Sequence, residues 1–287
     1  MAGVLDGQVA IVTGAGRGFG RAIAQKLAAE GAAVALVARS PGQLDETAAL
    51  IAAAGGKALA IPADVTRRED VARAVGRTTD ALGAIDLLVN NAGVGPPFGP
   101  LWAIDPDEWW AAQEVHIKAP MLFLRELLPG MVERKSGRVV IVSALAARMA
   151  ANFMSAYCTG KIAQTRLVEH VAGEGREHGV FGFAIDPGFV FTGIAEATMN
   201  DPGAQRWLPG MVERLKAAST TPGSDADLER CAQRVLDLAS GRYDGLSGRY
   251  MELADDLDAM LAGARPHWQT DGPPPAPSPE QPAAVRG

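Results

Sequence analysis

The stretch "QVAIVTGAGRGFGRAIAQKLAAEG", residues 8–31, decides the fold of this chain. A β-branched apolar run leads into Gly14, Gly18 and Gly20, and an alanine-rich segment of helical period follows directly. Such glycines allow a tight turn and the close approach of a pyrophosphate, whose charge is favoured by the free N–H groups at a helix N-terminus. Strand, turn and helix in this order predict a dinucleotide-binding unit.

The same alternation of short apolar runs and longer helical segments continues along most of the chain. It predicts βαβ units, with a parallel sheet covered by helices on both faces. We therefore predict an α/β fold, a Rossmann-type doubly wound parallel sheet in a single domain, residues 1–264. The candidate strands are "QVAIVTG", "AVALVAR", "KALAIPA", "IDLLVNN", "RVVIVSA" and "VFGFAIDPG", and the candidate helices span 18–30, 41–54, 66–82, 104–134 and 153–175.

The pattern loosens after the sixth apolar run. Glycine and proline interrupt residues 192–222, which predicts a mobile helical insertion at the C-terminal edge of the sheet, where open α/β folds bind their ligands. A helix over 225–240 and a last strand near "SGRYMEL" are expected to complete the domain. Residues 265–287 are rich in proline and poor in apolar side chains, so we expect this tail not to fold.

Composition excludes several classes of protein. The chain has 27 basic and 33 acidic residues, a net charge of −6 and no basic patch, so we expect no nucleic-acid partner. Cys158 and Cys231 are too few for a disulfide framework, and no cluster has metal-ligand spacing, so we expect no metal. The absence of a signal peptide and of an apolar run of about 18 residues predicts a cytoplasmic protein without a membrane partner.

The end of the second predicted strand, "VARS" at residues 37–40, bears on the choice of cofactor. An acidic side chain here would bind the ribose 2′-hydroxyl of NAD, whereas a basic one accepts the 2′-phosphate of NADP. Arg39 stands between neutral residues, and Arg17 in the glycine-rich turn adds a second positive charge. The pattern favours NADP(H) over NAD(H), with a merely solvated Arg39 as the alternative.

The segment "YCTGK", residues 157–161, places a phenol and an ammonium group four residues apart, on one helical face. Hydride transfer to or from a carbon requires an acid or base at the attached oxygen. A tyrosine can serve if positive charge lowers its pKa from about 10 toward neutrality. We therefore predict that Tyr157 is the acid/base and that Lys161 activates it.

The motifs "TGAGRGFG", "NNAG" at 90–93, "YCTGK" and "DPGFVFT" at 186–192 occur in one order, and by them residues 6–254 resemble the short-chain dehydrogenase/reductase family. The resemblance implies a carbonyl or alcohol as small-molecule substrate. It also implies a homotetramer or homodimer formed through helices at about 104–134 and 153–175. The candidate cofactor contacts, including the two arginines, are Gly14, Arg17, Gly18, Phe19, Gly20, Arg39, Asp64, Val65, Asn91, Ala92, Gly93, Tyr157, Lys161, Pro187, Gly188, Val190 and Thr192.

One side chain that the resemblance leads us to expect is absent. A serine that binds the substrate oxygen usually lies thirteen positions before the tyrosine, and this position is Ala144. Ser143 is one residue earlier and would point to the opposite face of an extended strand. We expect the substrate oxygen to be held by Ser143 after a one-residue bulge, or by water.

A second departure lies in the fourth helix. Where the family usually carries an asparagine that helps to hold a water relay to the lysine, this chain has His116 in "VHIKAP". The imidazole could replace the amide as a hydrogen-bond partner or act as an acid/base group near neutral pH. It could equally be a packed helix histidine without a chemical role.

These observations leave three classes of function. The leading one is an NADP(H)-dependent oxidoreductase acting on an apolar and fairly bulky ligand. The alternative is a non-redox cyclase, isomerase or dehydratase with a structural dinucleotide and a His116/Tyr157 pair, and the third is a dinucleotide sensor without turnover. The apolar residues expected near the substrate, any of which could instead be core, are Trp102, Met149, Phe153, Phe189, Met199 and Trp207.

Overall fold

A seven-stranded sheet forms the centre of the computed structural model, which describes residues 3–191, 193–220 and 226–263. The strand order is β3-β2-β1-β4-β5-β6-β7, and every neighbouring pair is parallel. The doubly wound fold predicted from the sequence is confirmed. The strands are β1 (Val9–Thr13), β2 (Ala33–Ala38), β3 (Lys57–Pro62), β4 (Leu87–Asn90), β5 (Gly137–Val142), β6 (Val180–Ile185) and β7 (Tyr250–Met251).

Helices cover both faces of the sheet. Alternate residues of each strand point to opposite faces, so Ala10 and Val12 join one apolar core and Val9 and Ile11 the other. The helices are α1 (Gly18–Ala29), α2 (Pro41–Ala53), α3 (Arg68–Leu82), α4 (Pro106–Gln113), α5 (Ala119–Arg134), α6 (Ser155–Gly175), α7 (Gly193–Asn200), α8 (Pro202–Trp207), α9 (Pro209–Ser219), α10 (Ala226–Ala239) and α11 (Leu257–Ala262). Helices α1, α2 and α10 contribute to the first core and α3, α5 and α6 to the second.

The strand order reverses at β1, which pairs with β2 on one side and with β4 on the other. The connections from β1 and β4 therefore leave the sheet toward opposite faces and open a crevice beyond the carboxyl ends of the strands. The crevice is where an open α/β sheet binds its ligand.

The single helix predicted over 104–134 is instead interrupted. Helix α4 begins after Asp105, whose Oδ1 accepts hydrogen bonds from Asp107 N and Glu108 N at 2.8 and 3.2 Å. A π-helical turn, Glu114–Lys118, then separates α4 from α5. Such turns are short, and they often occur at functional sites.

The predicted insertion forms three short helices, α7 to α9, although residues 192, 221 and 222 lie outside the described part of the chain. The predicted proline-rich tail, 265–287, also lies outside it. Among the helices of residues 3–191, 193–220 and 226–263, none is long and apolar enough to cross a membrane.

Candidate active site

The glycine-rich turn between β1 and α1 has the geometry that a phosphate cradle needs. Gly14 has a φ of +67°, a conformation that favours glycine. A side chain at Gly20 would collide with the carbonyl oxygen of Gly14 and lie 2.5 Å from Asn91 Nδ2. No side chain caps the N-terminus of α1, and its first turn has no acidic residue, so its N–H groups and partial positive charge are available to an anion.

Two polar groups lock this turn to β4. Asn91 Nδ2 donates to Thr13 O at 2.9 Å, and Thr13 Oγ1 accepts from the backbone N–H groups of Asn91 and Ala92, each at 3.0 Å. Arg21, which the sequence did not single out, supports the turn from the other side: its Nη2 donates to Gly16 O at 2.6 Å. The turn is therefore held in shape before any ligand binds.

A cleft of about 590 Å³ opens beside this turn, between the ends of β1, β2 and β4 and the start of α7. Every predicted cofactor contact up to Gly93 lines it. These residues are Gly14, Arg17, Gly18, Phe19, Gly20, Arg39, Asp64, Val65, Asn91, Ala92 and Gly93. Tyr157, Lys161, Pro187, Gly188 and Val190 are not part of its lining, and Thr192 is outside the described residues.

Positive charge concentrates at two points of the cleft. The pKa of Asp64 is lowered, chiefly because Thr66 N donates a hydrogen bond to its carboxylate. The nearby charge of Arg39 lowers this pKa further. The guanidinium of Arg17 packs directly against Gly193, where any side chain would collide with it. Arg17 thus reaches across the cleft to the first residue of α7.

Tyr157 and Lys161 lie together in the first turns of α6. The ammonium nitrogen of Lys161 is 5.5 Å from the centre of the Tyr157 ring and donates to Val142 O at 3.0 Å. Desolvation lowers the pKa of Lys161 to about 7, and nearby Asp186 opposes that shift. Desolvation raises the pKa of Tyr157 to about 12, and Asp186 adds to the rise. Burial therefore keeps the phenol protonated at neutral pH, and activation of Tyr157 by Lys161 stays a prediction.

Ser143 does not face this pair. Its side chain is buried, and Oγ donates to the backbone carbonyl of Lys161 at 3.1 Å. Pairing of β5 with β6 runs without interruption from Gly137 to Val142, and Ser143 N continues it by donating to Ile185 O. The predicted bulge is therefore wrong, and with it the route by which Ser143 would reach a substrate oxygen. Ala144 is extended, with φ −171° and ψ 163°.

His116 lies in the π-helical turn and is fully buried. Its Nε2 is 3.0 Å from Val94 O, which can only accept, so Nε2 carries the proton and Nδ1 is an acceptor that has no partner within the described residues. The ring contacts Tyr157 edge to face, with centroids 5.4 Å apart. Desolvation, with help from Lys161, lowers the pKa of His116 to about 3. The imidazole is neutral near pH 7 and is a weak base there.

Asp186, at the end of β6, is a site residue that the sequence analysis missed. Its Oδ1 accepts from Leu145 N at 3.0 Å, and the carboxylate also accepts from Gly188 N. The side chain thereby joins the loop after β5 to the loop after β6. Asp186 is part of the motif "DPG", but the motif does not show that its carboxylate accepts a hydrogen bond from Leu145 N, 41 positions away.

Apolar side chains gather at the same edge of the sheet. Phe153 stacks on Trp207 of α8, with ring centroids 5.3 Å apart, and has a φ of +64° that is unusual for a residue other than glycine. Its carbonyl accepts from Gly99 N at 3.0 Å. Trp102 and Phe189 are exposed, at 87% and 54% of their surface, as is Met149, while Met199 is half-buried.

Comparisons with known proteins agree with this architecture. A family model for short chain dehydrogenase matches residues 8–203. A short chain dehydrogenase of Pseudocercospora fijiensis is 35% identical over 266 residues, which cover 91% of this chain and 85% of the relative. The short chain dehydrogenase/reductase astE of Aspergillus oryzae is 35% identical over 258 residues, covering 89% and 97% of the two chains.

Among solved structures, a metagenomic short-chain oxidoreductase in complex with NADP is 34% identical to this chain. The superposition covers 83% of this chain and 92% of the other, with a TM-score of 0.67. The region that the family model matches, residues 8–203, contains the glycine-rich turn, β4 and the helix with Tyr157 and Lys161. The chain belongs to the short-chain dehydrogenase/reductase family.

Proposed function

We propose that this chain is an NADP(H)-dependent oxidoreductase that interconverts a carbonyl and an alcohol on an apolar, fairly bulky small molecule. The observation that carries this proposal is the Tyr157–Lys161 pair in the first turns of α6, where Lys161 Nζ donates to Val142 O at the end of β5. Family membership supports an oxidoreductase that binds a nicotinamide dinucleotide. The substrate, the dinucleotide preference and the roles of individual residues are our inference.

The residues of the cleft fit such a cofactor. Gly14 and Gly20 leave a cradle that a side chain would fill, and the N-terminus of α1 offers unpaired N–H groups to a pyrophosphate. When bound, the dinucleotide supplies or accepts the hydride. Asn91 and Thr13 keep the cradle rigid, so little conformational freedom is lost on binding.

Tyr157 is proposed to deliver a proton to the substrate oxygen during carbonyl reduction and to remove it during alcohol oxidation. Because burial holds its pKa at about 12, the phenol is protonated at neutral pH before ligands bind. Lys161, whose pKa lies at about 7, supplies a positive charge that favours the phenolate as the proton leaves. The substrate oxygen is held by Tyr157 and water, since Ser143 is turned away.

Preference for NADP(H) rests on Arg39 and Arg17. Both line the cleft, and no acidic residue stands at the end of β2 to bind a ribose 2′-hydroxyl. A guanidinium suits a phosphate because it offers paired donors and a fixed charge. The NADP-bound structure at 34% identity supports the same preference.

The apolar surface at the sheet edge supports an apolar substrate. Trp102, Met149 and Phe189 are exposed there, around the loops that follow β4, β5 and β6. Removing such side chains from water on binding favours a ligand of similar character. The Phe153–Trp207 stack joins the loop before α6 to α8, and we infer that it borders the substrate site.

We also infer a homodimer or homotetramer formed through α4, α5 and α6. Trp110 on α4, Met121 on α5 and Ile162 on α6 expose 63%, 48% and 52% of their surface. Members of the family are typically oligomeric, and covering these apolar side chains would stabilise an interface.

The test is to measure NADPH oxidation with a panel of apolar ketones, for the wild type and for Tyr157→Phe. We expect stoichiometric oxidation by the wild type and a loss of at least 100-fold in kcat for the variant, since a positioned acid contributes about that factor or more. Cofactor binding, followed by NADPH fluorescence, should persist in Tyr157→Phe. Undiminished turnover in Tyr157→Phe would reject the proposed role.

The geometry favours redox chemistry over the non-redox alternative. That alternative needs His116 as a proton-transfer group, yet its pKa of about 3 and its complete burial leave it neutral and weakly basic at pH 7. Conversion of a substrate without change in nicotinamide absorbance would nevertheless revive it. The sensor hypothesis predicts cofactor binding without conversion of any compound on the panel.

A further inference from the structure

The buried ring of His116 contacts both the wall of the cofactor cleft and the candidate proton donor. Its Nε2 donates to Val94 O at 3.0 Å, and a methyl carbon at Gly93 would lie 3.6 Å from its Cε1. Gly93 and Val94 both line the cleft. The same ring meets the ring of Tyr157 edge to face, with centroids 5.4 Å apart and planes at 88°. His116 therefore connects the cleft to the phenol by direct contact.

Two hydrogen bonds hold α4 and the π-helical turn against α6. Gln113 Nε2 donates to Ala156 O at 2.9 Å, and Gln164 Nε2 donates to His116 O at 3.0 Å. Both glutamines are buried. One attachment lies directly before Tyr157 and the other lies further along the same helix. The position of His116 is thereby set relative to the phenol.

Gly160 allows the close approach of these elements. A methyl carbon at this position would lie 2.6 Å from His116 Cβ and 3.1 Å from Gln113 Oε1. The backbone of α6 thus lies against His116 with no side chain of residue 160 between them. Because closely packed interiors transmit strain, a changed side chain at residue 116 is expected to displace Tyr157.

We propose that His116 is a positioning residue: its ring fixes the orientation of the Tyr157 phenol, and its Nε2–H fixes the wall of the cofactor cleft through Val94. The inference rests on the proposed function, because it presumes that Tyr157 transfers a proton to a substrate beside the dinucleotide. The imidazole itself neither gains nor loses a proton in this role. Edge-to-face contact is a favoured arrangement of aromatic rings, and it restricts the orientation of both.

The two contacts of His116 can be removed separately. His116→Gln keeps a donor that can reach Val94 O but removes the ring, whereas His116→Phe keeps a ring beside Tyr157 but removes the donor. His116→Leu removes both. The matched control is His170→Gln, the same substitution at a histidine of α6 whose side chain is 65% exposed and lies 3.4 Å from Glu174.

The assay is reduction of an apolar ketone with NADPH, which gives kcat and the KM for NADPH, and urea unfolding identifies the folded variants. His116→Gln should lower kcat about 10- to 100-fold with little change in KM, because a misplaced phenol impairs the chemical step. His116→Phe should keep most of kcat and raise KM about three- to tenfold, the loss of one hydrogen bond. His116→Leu should show both effects, and His170→Gln neither.

A kcat of His116→Gln within about threefold of the wild-type value overturns the inference, since a misplaced acid costs more than this. An equal loss of kcat in folded His116→Phe does so too. If His116→Phe does not fold, His116→Gln and His116→Leu decide the second contact: equal KM values for NADPH would refute the role of Val94.

The proposed function fails separately, if Tyr157→Phe remains active. The contact between the rings can then be followed without turnover, by NMR of protein that carries isotope-labelled tyrosine. The chain has three tyrosines, so the ring signals of Tyr157 are those absent from Tyr157→Phe. We expect these signals to move in His116→Gln and to stay in place in His170→Gln, because loss of a neighbouring aromatic ring changes the local field. Unmoved Tyr157 signals in His116→Gln would refute the positioning role.

Discussion

Replacing Gly160 by alanine should destabilise the protein although the position is inside a helix. A methyl carbon at Gly160 would lie 2.6 Å from His116 Cβ, 3.0 Å from His116 Cγ and 3.1 Å from Gln113 Oε1. Carbon atoms pack best at about 3.5–4.0 Å, so α6 and the π-helical turn would have to separate by about 1 Å. Overpacking of this kind costs about 1–3 kcal/mol.

The cost of overpacking is partly offset, because alanine has a higher helix propensity than glycine. Alanine is favoured over glycine in a helix interior by about 0.5–1 kcal/mol, so Gly160→Ala should lose up to about 2.5 kcal/mol of unfolding free energy in total. The matched control is Gly173→Ala in the same helix, where an added methyl meets no atom within 4 Å. We expect that variant to gain about 0.5–1 kcal/mol.

Urea unfolding of the wild type and both variants, at one protein concentration, gives the two differences. Because Gly160 lies three residues from Tyr157, separation of the helices should also lower kcat about 10- to 100-fold, as misplacement by about 1 Å can do. Gly173→Ala should leave kcat unchanged. Equal stabilisation by the two substitutions would show that α6 does not pack against His116 as closely as described.

The other predictions concern the site and its protons. Ala144→Ser restores the hydroxyl that the resemblance to the family leads us to expect. It should raise kcat/KM for ketone reduction about tenfold, the value of one hydrogen bond of about 1.4 kcal/mol. No gain would mean that residue 144 does not contact the substrate oxygen. Arg39→Asp should lower kcat/KM with NADPH by at least tenfold and improve use of NADH, whereas an unchanged NADPH/NADH ratio would leave Arg39 without a role in cofactor choice. Trp207→Ala should raise KM for bulky ketones more than for acetone, and equal effects on both would place Trp207 away from the substrate. The pKa of Lys161 falls from about 10.5 in the unfolded chain to about 7 in the folded one, so the unfolded chain binds more protons between these pH values. The unfolding free energy of the wild type should therefore rise with pH from about 7 to 10.5 relative to that of Lys161→Met. Parallel curves of unfolding free energy against pH would contradict the lowered pKa.

Much of the candidate cofactor site could be predicted because its chemistry is local. Gly14, Gly18 and Gly20 follow one strand and open one helix, so their spacing alone indicates the turn. Ser143 and Ala144 show the same principle: strand alternation predicts that they face opposite ways, and Ser143 Oγ donates to the backbone carbonyl of Lys161 instead of facing the Tyr157–Lys161 pair. The predicted bulge failed because nothing in the local sequence reports whether β5 keeps its pairing with β6.

The properties of single groups were harder to predict. The sequence left His116 with three possible roles, and only its burial and its contact with Val94 O show that it is neutral. Tyr157 was expected to have a lowered pKa, but burial, which no local sequence pattern reports, raises its pKa to about 12. Asp186 drew no attention, since nothing in "DPG" reveals that its carboxylate binds Leu145 N.

The sequence by itself determined the order of strands and helices, the phosphate cradle and the Tyr157–Lys161 pair, because each depends on residues a few positions apart. Tertiary structure alone decided which groups surround that pair: the close approach of His116 to Gly160, the hydrogen bond from Ser143 Oγ to the Lys161 carbonyl and the contact of Asp186 with Leu145 N. These contacts join residues about 18 to 44 positions apart, and they exist only once helices have packed against the sheet and excluded water. Burial then sets the protonation state of each group. The spacing of residues along the chain does not show which groups are buried.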